Sequence, residues 1–300
     1  MRVFITGGTG FIGSAVVAEL LAAGHEVVGL ARSQASAQTL EQAGAEAWEG
    51  ALDDLDRLQQ GADAADATIH AAFVHNFADF AAAVETDRRA IVALGQALAG
   101  SNRPLVVTSG VPLGEPGQVV TEATDADPAR FPRLSEAAAL PFARQGVRVS
   151  AVRPSRLVHG PGDRHGFVPQ LIAIARQSGQ SAHIGDGHNR VQAVHRLDVA
   201  ALFRLAVERG TAGARYQAVA DGGLTFRRLA LAIAQRLGVP AVSIPASQAQ
   251  DHFGFLGQIV AADNPASSEE TRQTLGWAPT HPSLLQDLAS DVYFLLNKPE

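Results

Sequence analysis

The chain has 300 residues, of which 46% are hydrophobic and 18% charged, and its formal net charge is −6. That composition supports a large buried core and, with no block of Lys or Arg, lacks the electrostatic footprint of a nucleic-acid binder. The absence of cysteine rules out disulfides and thiolate metal sites and fits a reducing, cytoplasmic setting; no uninterrupted apolar run is long enough to span a bilayer, so no membrane partner is expected.

The apolar opening Met1 to Ile5 is broken by glycines within a few residues and lacks the cleavage region of a secretion signal, so it reads as a first strand. Up to about residue 153, strand-like runs alternate with helical ones. VFIT (3–6) precedes a helix over 11–23, EVVGL (26–30) one over 34–43, and AEAW (45–48) one over 53–60. ATIH (67–70) then leads into 78–99, PLVVT (104–108) into 134–145, and VRVSAV (147–152) closes the series. Several of these runs are apolar without alternation, as in strands covered on both faces. Glycines in AAGHE (22–26), AGAE (43–46) and RQGVR (144–148) stop each helix before the next strand. The pattern predicts an α/β fold, with a Rossmann-type doubly wound parallel sheet over 1–160.

After RPSRLVHGPGD (153–163) the alternation fades, and helices over 166–177, 225–237 and 281–297 are separated by irregular, Gly- and Pro-rich pieces. Two runs, VQAVH (191–195) and ARYQAV (214–219), are expected to return to the sheet. The remainder of 161–300 reads as a smaller, partly interleaved substrate lobe.

The turn ITGGTGFIGS (5–14) joins the first strand to an apolar helix. Gly7, Gly10 and Gly13 lie three apart, and Gly8, Gly10 and Gly13 also satisfy GxGxxG. Each glycine has a use: a tight turn, close backbone approach to a pyrophosphate, and close packing of helix on strand. The free N–H groups and positive dipole end of the helix face the anion. The second strand ends at GLARS (29–33), where an acidic residue would take the ribose hydroxyls of NAD(H). Here Arg32 can pair with a 2′-phosphate and Ser33 can donate a hydroxyl, so NADP(H) is expected over NAD(H). The bland alternative for Arg32 is a solvated arginine after a strand.

TGGTGFIG (6–13), IHAAF (69–73), VVTSG (106–110), RPSRLVHGPG (153–162) and AVHRLDVA (193–200), in this order, resemble the extended short-chain dehydrogenase/reductases, the group that includes nucleotide-sugar epimerases and dehydratases. The resemblance implies that Gly7, Gly10 and Gly13 bind the pyrophosphate, that Phe11 and Ile12 between them also belong to the cofactor site, and that Ala71, Ala72 and Phe73 lie along the middle of the cofactor. It further implies that Leu52, in GALDD (50–54), touches the adenine, that Thr108 and Ser109 mark the active-site end of the fifth strand, and that Pro154 and Ser155 flank the nicotinamide. An aspartate expected before Leu52 is Ala51 here, and His159 stands where a tyrosine is usual. The resemblance also implies a homodimer through helices 78–99 and 134–145, whose Ala-rich faces suit a monomer core as well.

The Tyr-Lys pair that performs proton transfer in this family is missing: counting onto its spacing puts Pro132 at the tyrosine and Glu136 at the lysine. The only lysine is Lys298, and the only tyrosines are Tyr216 and Tyr293. Candidates for the chemistry are Ser109, His75 in FVHNF (73–77), and Arg133. His75 reads either as an acid/base at the end of the fourth strand or as a loop histidine bonded to backbone. Arg133 either polarises a carbonyl or pairs with Glu136 on the helix surface. Glu136 is expected to accept hydrogen bonds from the nicotinamide ribose.

In the second lobe Arg156, His159, Asp163, His165 and His183 crowd together, but no dense metal-ligand spacing appears and no metal is expected. His195 and Asp198 read as structural, and Phe167, Val168 and Phe253 as walls of a substrate space or ordinary core. The leading expectation is an NADP(H)-dependent oxidoreductase that reduces a carbonyl or polarised double bond on a small molecule. An epimerase or dehydratase with retained cofactor, and a non-catalytic NADP(H)-binding redox sensor, are the alternatives.

Overall fold

The computed structural model describes residues 1–74, 79–115, 117–129 and 133–294. In chain order the first half contains β1 (Arg2–Thr6), α1 (Phe11–Ala22), β2 (Glu26–Ala31), α2 (Gln34–Gln42), β3 (Glu46–Glu49) and α3 (Leu55–Asp63). It continues through β4 (Ala67–His70), α4 (Phe80–Leu98), β5 (Pro104–Thr108), α5 (Ser135–Ala139) and β6 (Arg148–Pro154). The second half contains β7 (Leu157–His159), α6 (Phe167–Ser178), β8 (Ser181–Ile184), β9 (Arg190–His195), α7 (Arg196–Arg209), β10 (Arg215–Ala218) and β11 (Asp221–Thr225). Then follow α8 (Phe226–Leu237), β12 (Ala241–Ile244), α9 (Ala249–Phe253), α10 (Gly257–Ala261), α11 (Glu269–Leu275) and α12 (Leu284–Ala289).

Seven parallel strands form the main sheet in the order β10-β6-β5-β4-β1-β2-β3. Strand order reverses at β1, so the crevice between the carboxyl ends of β1 and β4 is where such sheets take ligands. The apolar runs are continuous because both faces are covered: Val3 and Ile5 of β1 lie in a core with α1 and α7, while Phe4 lies in the opposite core with α3, α4 and α5. Helix α1 lies against α7, which seals the first face with Trp277 behind it.

Of the two runs expected to return to the main sheet, only the second does so. Strand β10 pairs with β6, whereas β9 sits between β7 and β11 in a separate three-stranded sheet. Both runs are equally apolar, and which sheet accepts them is a tertiary choice that periodicity does not encode. The segment predicted as one helix over 134–145 splits into α5 and a 3-10 stretch, Leu140–Gln145, with Pro141 at its start. Proline has no N–H to give to the carbonyl four residues before it and its ring crowds that turn, so the α-helical ladder stops there. Of the helix expected over 281–297, the described part runs from Leu284 to Ala289 and gives way to extended backbone at Ser290, while 295–297 lie outside the described residues.

The lobe has its own core of Leu171, Ile172, Leu229, Ile233 and Leu288, and it also holds Val168 and Phe253, with Phe167 packed against it. These last three residues are therefore ordinary core. No helix among the described residues is long and apolar enough to cross a membrane.

Candidate cofactor and substrate site

The glycine turn leaves β1 at Thr6. Gly7 adopts a φ of +75°, and a Cβ there would stand 2.6 Å from the backbone nitrogen of Ala72, so glycine is required for the turn to close against the end of β4. A Cβ on Gly13 would overlap the carbonyl oxygen of Gly7, which is how α1 packs so tightly on the loop. Gly10 opens α1 as an exposed N-cap; no side chain caps the helix, and its first turn has no acidic residue. The first amides of α1 and the positive end of its dipole thus lie beside a loop in which Gly7, Gly8 and Gly10 carry no side chain, which fits the diphosphate of a dinucleotide. Phe11 lies beneath the guanidinium of Arg196 at 4.7 Å, and Ile12 packs on the first core. Arg196 also donates to Ser14 Oγ at 2.7 Å and to the Pro161 carbonyl at 2.8 Å, tying the start of α1 to α7 and to the loop after β7.

At the end of β2, Arg32 and Ser33 are exposed. Among the described residues the Arg32 guanidinium has no hydrogen-bond or ion-pair partner. Ser33 has a local task that sequence reading missed: its Oγ accepts the Ser36 amide at 3.2 Å while Ser36 Oγ accepts the Ser33 amide at 3.0 Å, a reciprocal cap on α2. The Gly50 amide donates to the Ala31 carbonyl at 3.0 Å, which brings the loop of Leu52 beside the same strand end, with the Leu52 side chain packed on the second core.

Beneath the turn runs a buried polar chain. Thr6 Oγ1 accepts the Ala72 amide at 3.4 Å and lies 2.8 Å from His70 Nδ1; His70 Nε2 lies 3.1 Å from Asp87 Oδ1. These partners fit one tautomer, in which Thr6 donates to Nδ1 and Nε2–H donates to the carboxylate. Ser135 donates to Asp87 Oδ2 at 2.6 Å and accepts from Arg133 Nε at 3.0 Å. Thr6, His70, Asp87 and Ser135 are all buried. Burial pushes the Asp87 carboxyl up, but the bonds from His70 and Ser135 and the charge of Arg133 outweigh it and hold the group below the ordinary carboxylate range.

Arg133 is the far end of this chain. Its guanidinium lies 4.4 Å over the Phe73 ring, donates from Nη1 to the Ser109 carbonyl at 3.4 Å, and keeps Nη2 3.9 Å from Asp87 without a hydrogen bond. Desolvation lowers its pKa, opposed by Asp87. The anticipated surface pair with Glu136 does not form. Glu136 instead takes a bidentate grip from Arg153 at 2.6 and 2.7 Å and a further ion pair from Arg215 at 3.2 Å. Glu136 is thus buried and shared by two guanidinium groups, while still lining the cleft that holds Ser109 and Arg133.

Other hydroxyls are similarly committed: Thr108 donates to the His70 carbonyl at 2.9 Å and Ser155 to the Ala218 carbonyl at 2.8 Å. Ser109 differs. Its amide donates to the Val152 carbonyl, but its Oγ has no partner among the described residues. It lines a cleft of about 450 Å³ together with Arg133, Leu134, Ala137, Arg144 and Arg215. Pro154 ends β6, the strand beside β5.

His75 lies outside the described residues, as does Lys298. Neither tyrosine reaches the cleft: Tyr216 OH accepts the Thr211 amide, and Tyr293 OH donates to Asp163 at 3.1 Å and accepts the Gly160 amide. His159 bonds Asp287 at 2.6 Å, His195 accepts the Leu197 amide at the head of α7, and Asp198 receives Thr280 and His281, so these groups hold the fold together. Among the described residues no group of three or more metal-ligating side chains is placed to hold an ion.

A family model described as "NAD dependent epimerase/dehydratase family" matches residues 3–219. The chain belongs to that family. It is 48% identical over 98% of its length to an uncharacterized protein of Schizosaccharomyces pombe, all of which is covered. It is 28% identical to the 2-alkyl-3-oxoalkanoate reductase of Stenotrophomonas maltophilia, over 81% of this chain and 77% of that one. Among solved structures, MoeE5 in complex with UDP-glucose and NAD shares the fold, with a TM-score of 0.76, 22% identity and 97% of each chain covered.

Proposed function

We propose that this protein is an NADP(H)-preferring oxidoreductase that reduces a carbonyl, or a similarly polarised double bond, on a small organic molecule. The observation that carries the reading is Arg133, a largely buried guanidinium held by Asp87 and Ser135 beside the free hydroxyl of Ser109 at the carboxyl ends of the strands. A fixed cation next to a hydroxyl orients an acceptor oxygen and stabilises negative charge that develops on it, a task for which the family otherwise uses the Tyr-Lys pair. A relative named for reducing a 3-oxoalkanoate supports the same class of reaction.

The glycine turn, Ala71 to Phe73, Leu52, Pro154 and Ser155 bound the cofactor's path. Arg32, exposed and without an anionic partner, favours a 2′-phosphate. When bound, the nicotinamide supplies the hydride. Ser109 and Arg133 hold the acceptor oxygen, and water or His75 returns the proton.

The test is a panel of ketones, aldehydes and enones incubated with NADPH or NADH, followed by absorbance of the reduced nicotinamide. NADPH-dependent consumption lost on Arg133→Ala supports the reading. Substrate isomerised or dehydrated without net cofactor loss assigns the site to an epimerase or dehydratase, and tight cofactor binding with no turnover across the panel assigns it to a redox sensor.

A further inference from the structure

The three-stranded sheet of β7, β9 and β11 carries two polar side chains that the reaction above leaves unused. Gln192, in the middle of β9, is fully buried. Its Oε1 accepts the backbone amide of Arg156 at 3.3 Å, which fixes the amide's orientation, since the flipped group would set NH₂ against N–H. The Nε2 hydrogens then have no partner among the described residues. Buried donors are nearly always satisfied in a folded protein, so these hydrogens call for an acceptor that the described residues do not supply.

The setting says which acceptor. Val191 and Ala193 point into the lobe core and Val194 into the core of the main sheet, so Gln192 shares the face of β9 that is turned toward the main sheet. On its β11 side the pairing slips between Asp221 and Leu224, where Gly222 and Gly223 bring no side chain to cover it. On its β7 side stands Arg156, directly before the ladder that pairs Leu157 with Ala193. Its half-buried guanidinium has no hydrogen bond, ion pair or ring contact among the described residues, and desolvation lowers its pKa with no carboxylate to restore it. Arg156 follows Pro154 and Ser155, at the end of the strand beside the one that carries Ser109.

We propose that Arg156 and Gln192 anchor a carboxylate of the substrate, so that the carbonyl compound taken by this site is an oxo acid. This rests on the reductase reading above. A guanidinium and an amide NH₂ on residues joined by a hydrogen bond, Arg156 and Gln192, offer donors of the kind that carboxylate oxygens accept. The cofactor's diphosphate has its own seat at the head of α1, so the anchor is left for the substrate.

The experiment uses 3-oxo acids of increasing chain length, from acetoacetate to 3-oxooctanoate, each with its neutral methyl ester. Binding to the intact protein is followed by calorimetry with and without NADPH, and turnover separately. The acids should bind roughly ten-fold or more tightly than the esters. Arg156→Gln should abolish that preference by weakening the acids alone, Arg156→Lys should restore part of it, and NADPH affinity should not change. Arg156 is partly exposed and its guanidinium makes no hydrogen bond among the described residues, so these variants are expected to fold even where Gln192→Leu does not.

Equal binding of acid and ester by the unmodified protein overturns the proposal, and so does a loss of NADPH affinity in Arg156→Gln, which would give the guanidinium to the cofactor. Arg156-dependent binding of acids without turnover supports the anchor while removing the reductase reading; reduction of ketones with no preference for acids keeps the reductase and removes the anchor.

Discussion

Ser135 donates its hydroxyl to Asp87 at 2.6 Å, and through that bond two residues 48 positions apart fix where Arg133 stands. Ser135 opens α5 and Asp87 lies on the buried face of α4, so the contact between these helices reaches the cleft. Replacing Asp87 by Ala leaves the Nε2–H of His70, the Ser135 hydroxyl and the Arg133 charge without their shared acceptor. The expected cost is about 3–5 kcal/mol of stability. Asp87→Asn, which keeps the shape, should cost less and still lower turnover, with cofactor affinity little altered. Denaturant titration and steady-state kinetics on the two variants check this.

The same carboxylate makes stability depend on pH. Its folded pKa lies below the ordinary 3.8. For a depressed acid, the stabilisation is complete above the unfolded pKa and is lost as pH falls through the folded one. The difference in unfolding free energy between the unmodified protein and Asp87→Asn should therefore shrink as pH is lowered from neutral toward about 3. A difference that stays constant over that range would assign the charge no part in stability.

Cofactor choice is expected to follow Arg32. Arg32→Ala should weaken NADPH binding by roughly ten-fold or more and leave NADH nearly unchanged, because only the 2′-phosphate needs the guanidinium. Arg32→Glu should reverse the order. Fluorescence titration with both reduced cofactors decides, and parallel losses for both would remove Arg32 from the phosphate site.

Gly13→Ala places a methyl group against the Gly7 carbonyl oxygen. The loop or α1 must shift to accommodate it, so about 1–3 kcal/mol of stability should be lost along with most cofactor affinity. Gly24→Ala is the control: Gly24, unlike the helical Gly13, has a left-handed φ of +80°, but a Cβ there meets nothing within 4 Å, so any loss should be confined to stability.

Glu136→Gln separates a structural from a ligand role. Because Arg153 and Arg215 share that carboxylate, thermal stability should fall by several kcal/mol in the manner of a broken buried pair. Cofactor affinity measured well below the melting temperature should hold. A selective loss of affinity at full stability would return Glu136 to the nicotinamide ribose.

The parallel sheet was legible in runs such as Val3-Phe4-Ile5, since strands apolar on successive residues must be covered on both faces, and the glycine spacing announced the turn. The polar chain under the turn was not. His70 closes an apolar strand and Asp87 interrupts an Ala-rich helix, but nothing local says that they meet, because their contact depends on how α4 lies across β4. Glu136 misled for a related reason. Its distance in sequence from Arg133 suggested a helix-surface pair, whereas the inward face of α5 turned it onto Arg153 of the neighbouring strand. Arg156 stood out as a polar residue and Gln192 did not, and only the ladder between β7 and β9 shows that the Gln192 amide accepts from its neighbour's backbone with hydrogens left to give.

The path of the chain has a consequence for anyone who would exchange parts of this molecule. It leaves the nucleotide half after β6, comes back as α7 and β10, leaves again, and returns as α11 and Trp277, whose indole donates to the Asp198 carbonyl. A graft of the smaller lobe from a relative therefore has to be spliced at several seams at once. Single-crossover chimaeras should be recovered only where both parents already agree on the packing of every seam.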